Sequence, residues 1–276
     1  MRFSIVTPSF RQLAWLKRAV RSVADQGVDV EHIIQDAGSG PELEQWVREH
    51  SAAQLFIEKD SGMYDAVNRG FARATGEICA FLNCDEQYLP GTLKRVARAF
   101  AENPWADAVA GDFLVLDEKN ALSSFRKVTP LRRAMIRTHY LYAFTCAIFF
   151  RRSILDAGIR FNAELKDVAD LEWVCEVLDR GHRFALVHEY LTTFAFTGDN
   201  RSTQPLARSE LAAVHASVPA WMRLAAPALR LFRHVEKWRA GGYRPMPIAY
   251  EVYAGEDATE RTRFLCERPS FRYPGT

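Results

Sequence analysis

The feature that most constrains the fold is a short apolar run, Ile78 to Leu82, followed at once by Asn83-Cys84-Asp85-Glu86. The run does not alternate between apolar and polar side chains, which is the pattern of a strand covered on both faces in an α/β sheet. The acidic residues then lie just past the carboxyl end of that strand, where open α/β sheets bind their ligands. The segment therefore predicts an α/β fold with a functional site at this strand end.

The same order of strand, polar loop and helix recurs along the chain. Strands are predicted at residues 3–6, 32–35, 54–58, 108–112, 113–116, 144–150 and 183–187. Helices are predicted at residues 13–23, 43–49, 63–74 and 92–102, with Thr92 as the cap of the last one. Alternation of this kind is typical of a mostly parallel sheet covered by helices.

The acids that follow Leu82 have the chemistry of a metal site for a nucleotide diphosphate. Mg²⁺ and Mn²⁺ bind oxygen atoms and need only one or two protein carboxylates, because water and phosphate oxygens complete the coordination shell. Asp85 is the best candidate ligand, and Glu86 or Asn83 is expected to assist it. An isolated Asp-Glu pair would more often begin a turn, which Pro90-Gly91 would close here.

A longer segment, SGMYDAVNRGFARATGEICAFLNCDE from Ser61 to Glu86, resembles the signature region of family-two glycosyltransferases. The resemblance implies the GT-A fold, a Rossmann-like α/β arrangement, and inverting, nucleotide-sugar-dependent transfer. It also implies that the acidic cluster holds the divalent metal against the donor diphosphate. This chain departs from the usual Asp-x-Asp-like pattern, because Asn83 occupies the first acidic position.

Two other strand ends resemble the donor-binding half of that family. Thr7-Pro8-Ser9 is similar to the loop that supports the base and ribose, and Asp36-Ala37-Gly38-Ser39 is similar to the family's Asp-Gly-x-Ser turn. A carboxylate at Asp36 can accept a hydrogen bond from a pyrimidine or guanine ring N–H. Outside this context, an Asp-x-Gly sequence is more often only a turn former.

Asp60-Ser61-Gly62 continues this pattern after the third strand. The resemblance implies that Asp60 and Asn68 contact the donor, and Arg69 is a weaker candidate. Asp65 has a simpler interpretation, since an acid in the first turn of a helix interacts favourably with the helix dipole.

The candidate catalytic base lies in the segment from Lys166 to Trp173, which resembles the family's acidic motif at the start of a helix. The motif's Asp removes the proton of the acceptor hydroxyl, and single-step inversion needs only one such base. Asp170 fits the spacing best, and Asp167 is the second candidate. Helix amino termini also collect acids for electrostatic reasons alone.

Two further segments resemble parts of the family. Arg151-Arg152 follows the strand at 144–150, as the family's arginine pair does, and either contacts phosphate or simply begins a solvated helix. Gly198-Asp199-Asn200-Arg201-Ser202 resembles the loop that closes on the donor.

The predicted organisation is a GT-A domain at residues 1–216 and a C-terminal helical extension at 217–276. Within the domain, residues 1 to about 115 form the nucleotide-sugar-binding half, and 116–216 form the acceptor half. The extension carries a helical face with the apolar residues Trp221, Leu224, Ala228, Leu231, Val235 and Trp238. Basic residues crowd the remainder of that helix, which is typical of a helix on a membrane surface. The alternative is that the face packs on the domain or on a second subunit.

Composition restricts the other classes of protein. A formal net charge of +2 is too small to indicate a nucleic-acid partner. The five cysteines are scattered without a CxxC pair, which favours a reducing compartment and no zinc site. The amino terminus lacks the pattern of a signal peptide. We therefore expect a cytoplasmic protein, with peripheral association at the inner face of the cell membrane as a further expectation.

The sequence therefore predicts a metal-dependent inverting glycosyltransferase that uses Mn²⁺ or Mg²⁺. The donor is expected to be UDP-, GDP- or dTDP-linked, and the acceptor a saccharide or lipid-linked molecule in bacterial polysaccharide or glycolipid assembly. Two alternatives stay open at this stage. One is a non-catalytic nucleotide or glycan binder, and the other is a nucleotide-sugar pyrophosphorylase, although no glycine-rich phosphate loop follows the first strand.

Overall fold

A computed structural model describes residues 1–197 and 205–274 of the chain. The strands are β1 (Phe3–Ser9), β2 (Val30–Asp36), β3 (Gln54–Ile57), β4 (Ile78–Phe81), β5 (Glu86–Tyr88), β6 (Ala108–Leu116), β7 (Leu122–Arg126), β8 (Ile148–Arg151), β9 (Phe184–Ala195), β10 (Ile248–Val252) and β11 (Thr262–Cys266). The helices are α1 (Leu13–Ala24), α2 (Pro41–His50), α3 (Met63–Arg73), α4 (Thr92–Glu102), α5 (Arg133–Thr138), α6 (Ser153–Asp156), α7 (Ala169–Asp179), α8 (Pro205–Ala216) and α9 (Ala220–Arg239).

The first half of the chain builds the parallel part of one large sheet. Strands β3, β2, β1 and β4 lie side by side in that order, and every pairing among them is parallel. Strands β1 and β4 are buried along their whole length, which explains why β4 is a continuous apolar run. Because the strands are parallel, the loops after them all open at one edge, and this confirms the predicted α/β fold.

The second half continues the same sheet in mixed directions. Strand β8 pairs antiparallel with β4 and β6, whereas β9 runs parallel to β6. The strands predicted at 108–112 and 113–116 are one strand, β6, which shifts register near Gly111. A side chain at Gly111 would begin 2.2 Å from Leu191 Cδ1, so only glycine allows β6 and β9 to approach here.

Two expectations about local structure were wrong, and one strand was not expected. Glu86–Tyr88 form β5 and pair antiparallel with β9, so the alternative of a simple turn at Glu86 does not apply. Thr92 does not cap α4: the residue before the helix is Gly91 in a left-handed conformation, and the Thr92 hydroxyl donates to the Leu191 carbonyl oxygen at 2.5 Å. The strand expected at 144–150 begins at Ile148, after a short 3-10 turn.

The C-terminal segment contains more than the expected helix. Strands β10 and β11 form an antiparallel hairpin, and Ile248, Tyr250 and Val252 join a core cluster with Leu114 of β6 and Phe125 of β7. The sequence analysis missed this hairpin. Residues 217–276 are therefore partly integrated into the domain at 1–216, although the expected boundary does fall between α8 and α9.

Polar contacts attach the hairpin to α1 and β5 as well. The Lys17 ammonium on α1 lies 2.7 Å from the Glu256 carboxylate, and the Gln87 side chain bonds both backbone polar groups of Tyr253. Among the described residues, no helix is both long and apolar enough to cross a bilayer.

Candidate active site

Glu86 organises the acidic loop that follows β4. Its side chain is 2 % exposed, and its Oε2 accepts a hydrogen bond from the Asn83 backbone N–H at 2.7 Å. This bond folds the loop back on β5. Asp85 stays partly exposed, and Asn83 Oδ1 is buried without a hydrogen-bond partner among the described residues. The loop therefore presents one carboxylate and one unsatisfied amide oxygen.

Burial gives this loop unusual electrostatics. It raises the pKa of both Asp85 and Glu86, and the nearby Asp85 charge raises the pKa of Glu86 further. Desolvated carboxylates are strong attractors of a cation, because a cation offsets the burial cost of the charged form. Burial also raises the pKa of the Cys84 thiol, which donates to the Pro8 carbonyl oxygen and so acts as a small core residue rather than a nucleophile.

The loop fits a hard divalent cation held by few protein ligands. Within residues 1–197 and 205–274, no group of three or more His, Cys, Asp or Glu side chains is arranged to bind a metal. Mg²⁺ and Mn²⁺ in nucleotide sites do not need such a group, because phosphate and water supply most ligands. Asp85 and the unsatisfied Asn83 Oδ1 are the oxygen donors that suit this role. Glu86 is better positioned to hold the loop.

The three residues Thr7, Pro8 and Ser9 lie at the carboxyl end of β1 rather than in a loop. The Thr7 hydroxyl is fully buried and lies 2.9 Å from His32 Nε2, and burial lowers the pKa of that histidine to about 4. Ser9 pairs with Asp36 in the sheet, and its buried hydroxyl lacks a partner in the described part of the chain. Of the three, Ser9 has the polar atom best suited to contact a donor.

Asp36 lies at the equivalent end of β2 and organises a tight turn. Its Oδ2 accepts the N–H groups of Gly38 and Ser39 at 2.9 and 2.6 Å, and its Oδ1 accepts the Ser39 hydroxyl at 2.5 Å. The Ser39 hydroxyl oxygen in turn accepts the Arg11 N–H at 2.7 Å, which joins the loops after β1 and β2. The turn-forming role is thus observed, while the nucleobase contact stays a prediction.

The loop after β3 is held by its own acids. Asp60 Oδ1 accepts the Gly62 N–H at 2.9 Å, and burial raises the Asp60 pKa. Asp65 accepts the Ser61 N–H and pairs with Arg69 at 3.0 Å, so the arginine is already neutralised. Asp60 stays a candidate for contact with the sugar-nucleotide donor. The pairing with Asp65 makes Arg69 a weaker candidate than the sequence alone indicated.

Asn68 has an unexpected position. Its Nδ2 donates to the Phe161 carbonyl oxygen at 2.7 Å, and its Oδ1 accepts the Phe161 N–H at 3.1 Å. The whole amide is therefore used to hold the segment before α7 against α3. Its predicted contact with the donor is untested, and a positioning role competes with it.

Asp170 lies in the first turn of α7, as expected. Its Oδ1 accepts the Leu171 N–H at 2.7 Å, and a bond from the Tyr64 hydroxyl also stabilises the carboxylate. Burial nevertheless raises the Asp170 pKa to about 6, with a further increase from the Asp167 charge. A carboxylate with this pKa is ionised at neutral pH and is a stronger base than an ordinary aspartate.

Glu210 on α8 is a residue that the sequence analysis missed. Its two carboxylate oxygens accept the backbone N–H groups of Lys166, Asp167 and Val168 at 2.9, 2.9 and 3.2 Å. These N–H groups lie in the loop that leads into α7, and Val168 is the residue immediately before that helix, so Glu210 anchors the loop from a distant part of the chain. No local pattern predicts such a contact, because it depends on how α8 packs.

Two other expectations have definite outcomes. Arg151 pairs with Ile78, at the end of β4 opposite the acidic loop, and Arg152 lies 3.3 Å from Asp156. The suggestion that these arginines contact donor phosphate was therefore wrong. The expected closing loop, Gly198 to Ser202, lies outside the described residues.

Comparison with known proteins gives consistent results. The model of the family described as Glycosyl transferase family 2 matches residues 4–158. The PGL/p-HBAD biosynthesis glycosyltransferase of Mycobacterium tuberculosis is 30% identical over 180 residues, covering 62% of this chain and 67% of that protein. An uncharacterized glycosyltransferase of Nostoc sp. is 25% identical over 170 residues, covering 56% and 52% of the two chains.

Solved structures share the fold. The structure of S. aureus TarS 1-349 in complex with UDP-GlcNAc superposes with a TM-score of 0.63 at 16% identity, covering 88% of this chain and 76% of that one. The mannosyltransferase PcManGT from Pyrobaculum calidifontis, in complex with GDP-Man and Mn²⁺, gives a TM-score of 0.53 at 15% identity, covering 85% and 75%. At such low identity the likeness concerns the fold alone.

Proposed function

Because the chain belongs to glycosyl transferase family 2 and is a glycosyltransferase, we propose that it transfers a sugar from a nucleoside diphosphate donor to an acceptor hydroxyl with inversion. The observation that carries this proposal is the shared edge of the sheet. Asp36, Asp60 and the acidic loop with Asp85 follow the parallel strands β2, β3 and β4, and Asn68 holds the segment before the Asp170 helix against α3.

The donor half of the proposal rests on Asp36, Ser9 and Asp85. Asp36 is proposed to accept a further hydrogen bond from a base ring N–H, besides the three that it accepts within its turn, and the unpartnered Ser9 hydroxyl lies beside it. Asp85, assisted by Asn83, is proposed to hold Mn²⁺ or Mg²⁺. When bound, such an ion neutralises charge on the departing diphosphate. UDP-, GDP- and dTDP-sugars are all candidate donors, and the UDP-GlcNAc and GDP-Man complexes of the structural relatives support this range.

Asp170 is the proposed base. In the transfer step the acceptor hydroxyl oxygen forms a bond to the anomeric carbon, while the bond from that carbon to the diphosphate oxygen breaks. The hydroxyl proton passes to Asp170, whose Oδ2 takes no part in the hydrogen bond from the Leu171 N–H. Tyr64 and the Glu210-anchored loop fix the position of the carboxylate relative to α7.

We further propose a membrane or membrane-bound acceptor for the outer face of α9. Trp221, Leu224, Leu231 and Trp238 are 66, 83, 68 and 57% exposed, so the domain itself does not cover them. Exposed cations, Arg223, Arg230 and Arg239, accompany these residues. An apolar face with tryptophans and cations is the composition of an interfacial helix, which would bring a lipid-linked acceptor to the site.

The direct test is release of nucleotide from sugar nucleotides. Purified protein with Mn²⁺ should hydrolyse one of the UDP-, GDP- or dTDP-sugars slowly and faster with its acceptor. Binding of these donors without any turnover would instead favour a non-catalytic binder. Exchange of labelled pyrophosphate into a nucleotide sugar would favour a pyrophosphorylase.

A further inference from the structure

A second charged site lies under the inner face of α9. Its walls, which we call the cationic pocket, consist of Arg126, Lys127, Thr129, Tyr142, Arg233 and Lys237. The pocket is small, with a volume of about 10 Å³, which is room for one oxygen-sized group between the side chains. Four of its six residues are cations, and it is separate from the acidic loop.

Aromatic rings hold three of these cations in place. The Arg126 guanidinium lies 5.6 Å from the Tyr273 ring centre, and the Lys237 ammonium lies 4.5 Å from that of Tyr243. Arg233 lies 4.9 Å from the Tyr142 ring centre. The negative face of each ring attracts the cation beside it, which positions the cations without neutralising them.

Carboxylates do not neutralise these three cations. Lys127 pairs with the buried Asp112 at 2.7 Å, but no ion pair joins Arg126, Arg233 or Lys237 to an acid in the part of the chain that the structure describes. Glu236, next to Lys237 in the helix, binds Arg132 instead, at 2.8 Å. Burial together with the charges of Arg126 and Arg233 lowers the Lys237 pKa to about 8.

Tyr273 lies against the pocket, because its ring centre is 5.6 Å from the Arg126 guanidinium. Burial raises the pKa of this tyrosine to about 12, Arg126 lowers it and the Asp85 charge raises it. Arg233 and Lys237 belong to the same helix as the exposed Trp221 and Trp238, so the pocket and the apolar face lie on two sides of α9.

We propose that the cationic pocket binds a phosphate group of the acceptor. Like-charged groups brought together away from water are unfavourable unless an anion completes the site. A phosphate group carries up to two negative charges and three acceptor oxygens. One oxygen fits between the cations, and the other oxygens accept hydrogen bonds from the arginine guanidinium groups at the edge of the pocket. This inference rests on the proposed function, because it assigns the pocket to the acceptor and leaves the donor diphosphate to Asp85.

Thermal denaturation with inorganic phosphate tests the pocket. The wild-type Tm should rise with phosphate beyond its rise in chloride of equal ionic strength, because only the folded protein has the site. Lys237→Met keeps the length of the side chain and removes the charge, so this variant should lose the phosphate-specific rise. It should also be at least as stable as wild type without phosphate, since repulsion within the pocket is relieved.

Arg239→Ala is the matched control, because it removes one exposed cation from the same helix. It should keep the phosphate response of the wild type. If the phosphate-specific rise in Tm is the same for Lys237→Met and wild type, the proposal is overturned. It is also overturned if Lys237→Met and Arg239→Ala lose this rise equally, because phosphate would then act only by general charge screening.

Nucleotide binding separates this inference from the proposed function. Lys237→Met should keep the Mn²⁺-dependent rise in Tm with UDP or GDP. If the variant loses that rise while Arg239→Ala keeps it, the pocket serves the donor and the inference is wrong. A wild-type protein that responds to phosphate but to no nucleotide would instead count against the proposed function.

The source of the phosphate can be identified with vesicles. Phosphatidylcholine vesicles with phosphatidic acid should bind Lys237→Met more weakly than Lys119→Met if the phosphate is carried by a lipid, since Lys119 is an exposed cation outside α9. Equal vesicle binding by these two variants, together with the loss of the inorganic phosphate response in Lys237→Met, would assign the pocket to a water-soluble phosphorylated acceptor. Both results support a phosphate site.

Discussion

The Glu210 carboxylate on α8 accepts the backbone N–H of Asp167 at 2.9 Å, in the loop that leads into α7. The same side chain also accepts the N–H groups of Lys166 and Val168. Helix α8 follows directly after the residues that resemble a closing loop in glycosyltransferases, whereas α7 carries the proposed base, Asp170. These bonds tie the amino terminus of α7 to α8.

Glu210→Ala should reduce transfer with little effect on donor binding. The loss of three accepted hydrogen bonds frees the loop before α7, and misplacement of the base costs about tenfold to a hundredfold in rate. Steady-state kinetics should show this fall in kcat at an unchanged donor Kd. Glu164→Gln is the control, since Glu164 is an exposed acid in the same loop, and an equal loss in that variant would contradict the positioning role.

Asp170→Asn should abolish base catalysis while the site still binds donor. Asparagine keeps the size of the side chain but cannot take the proton, so transfer should fall about a hundredfold or more. Asp167→Asn should keep most activity. If Asp167→Asn loses transfer and Asp170→Asn keeps it, Asp167 is the base.

The pH dependence of transfer gives a second test of Asp170. Because burial raises its pKa to about 6, the base is ionised above that pH and becomes protonated as the pH falls through it. The rate should therefore decline on the acid side with a midpoint near pH 6. Ionising this buried group also costs folding free energy above pH 6, so Asp170→Asn should be more stable than wild type at neutral pH. A wild-type rate that is constant down to pH 5 would contradict this assignment.

Asp36→Asn and Ser39→Ala separate two roles of the turn after β2, namely holding the loops together and accepting a hydrogen bond from the nucleobase. Ser39→Ala removes only the hydroxyl that joins the loops after β1 and β2. Asp36→Asn also removes the charged acceptor for the base N–H, so it should weaken nucleotide binding by about tenfold more, in line with a hydrogen bond to a charged group. Titration calorimetry without metal measures this difference. Equal affinities would leave Asp36 as a turn former only.

Membrane binding by α9 is tested with side chains that do not contribute to the core. Trp221→Ser combined with Trp238→Ser should lower binding to anionic vesicles at low salt, because each tryptophan is more than half exposed. Trp105→Ser is the control, as this tryptophan is 44% exposed on another surface. Point variants are preferable to truncation at Ser217, since β10 packs in the core of the domain. Binding that is unchanged by the tryptophan substitutions would favour a second subunit on this face.

The parallel half of the fold was predictable because each of its strands contains apolar residues followed by a polar loop. The signal is clearest at Ile78 to Leu82, where β4 is buried throughout, and it is local. Strand β11 lacks this signal: Arg263 and Leu265 are exposed, and the strand exists because it pairs with β10. Strand β5 was not predicted either, since it is short and contains the buried carboxyl group of Glu86.

The site residues also differ in whether a local sequence signal predicts them. The positions of Asp36, Asp85 and Asp170 followed from motif and strand context. By contrast, the bonds from Asn68 to Phe161 and from Glu210 to the loop before α7 join residues far apart in sequence. Those contacts depend on how helices pack, so a single sequence carries no local sign of them.

The central claim is that Asp85 couples metal to donor binding at the acidic loop. The most direct measurement is the Mn²⁺-dependent rise in Tm with UDP or GDP for wild type, Asp85→Ala and Glu86→Gln. Glu86→Gln keeps an acceptor for the Asn83 N–H, so the loop should stay folded and respond nearly as wild type does. We predict that folded Asp85→Ala loses the metal-dependent rise and keeps any response to nucleotide alone. A folded Asp85→Ala variant with the full Mn²⁺-dependent response would contradict the claim.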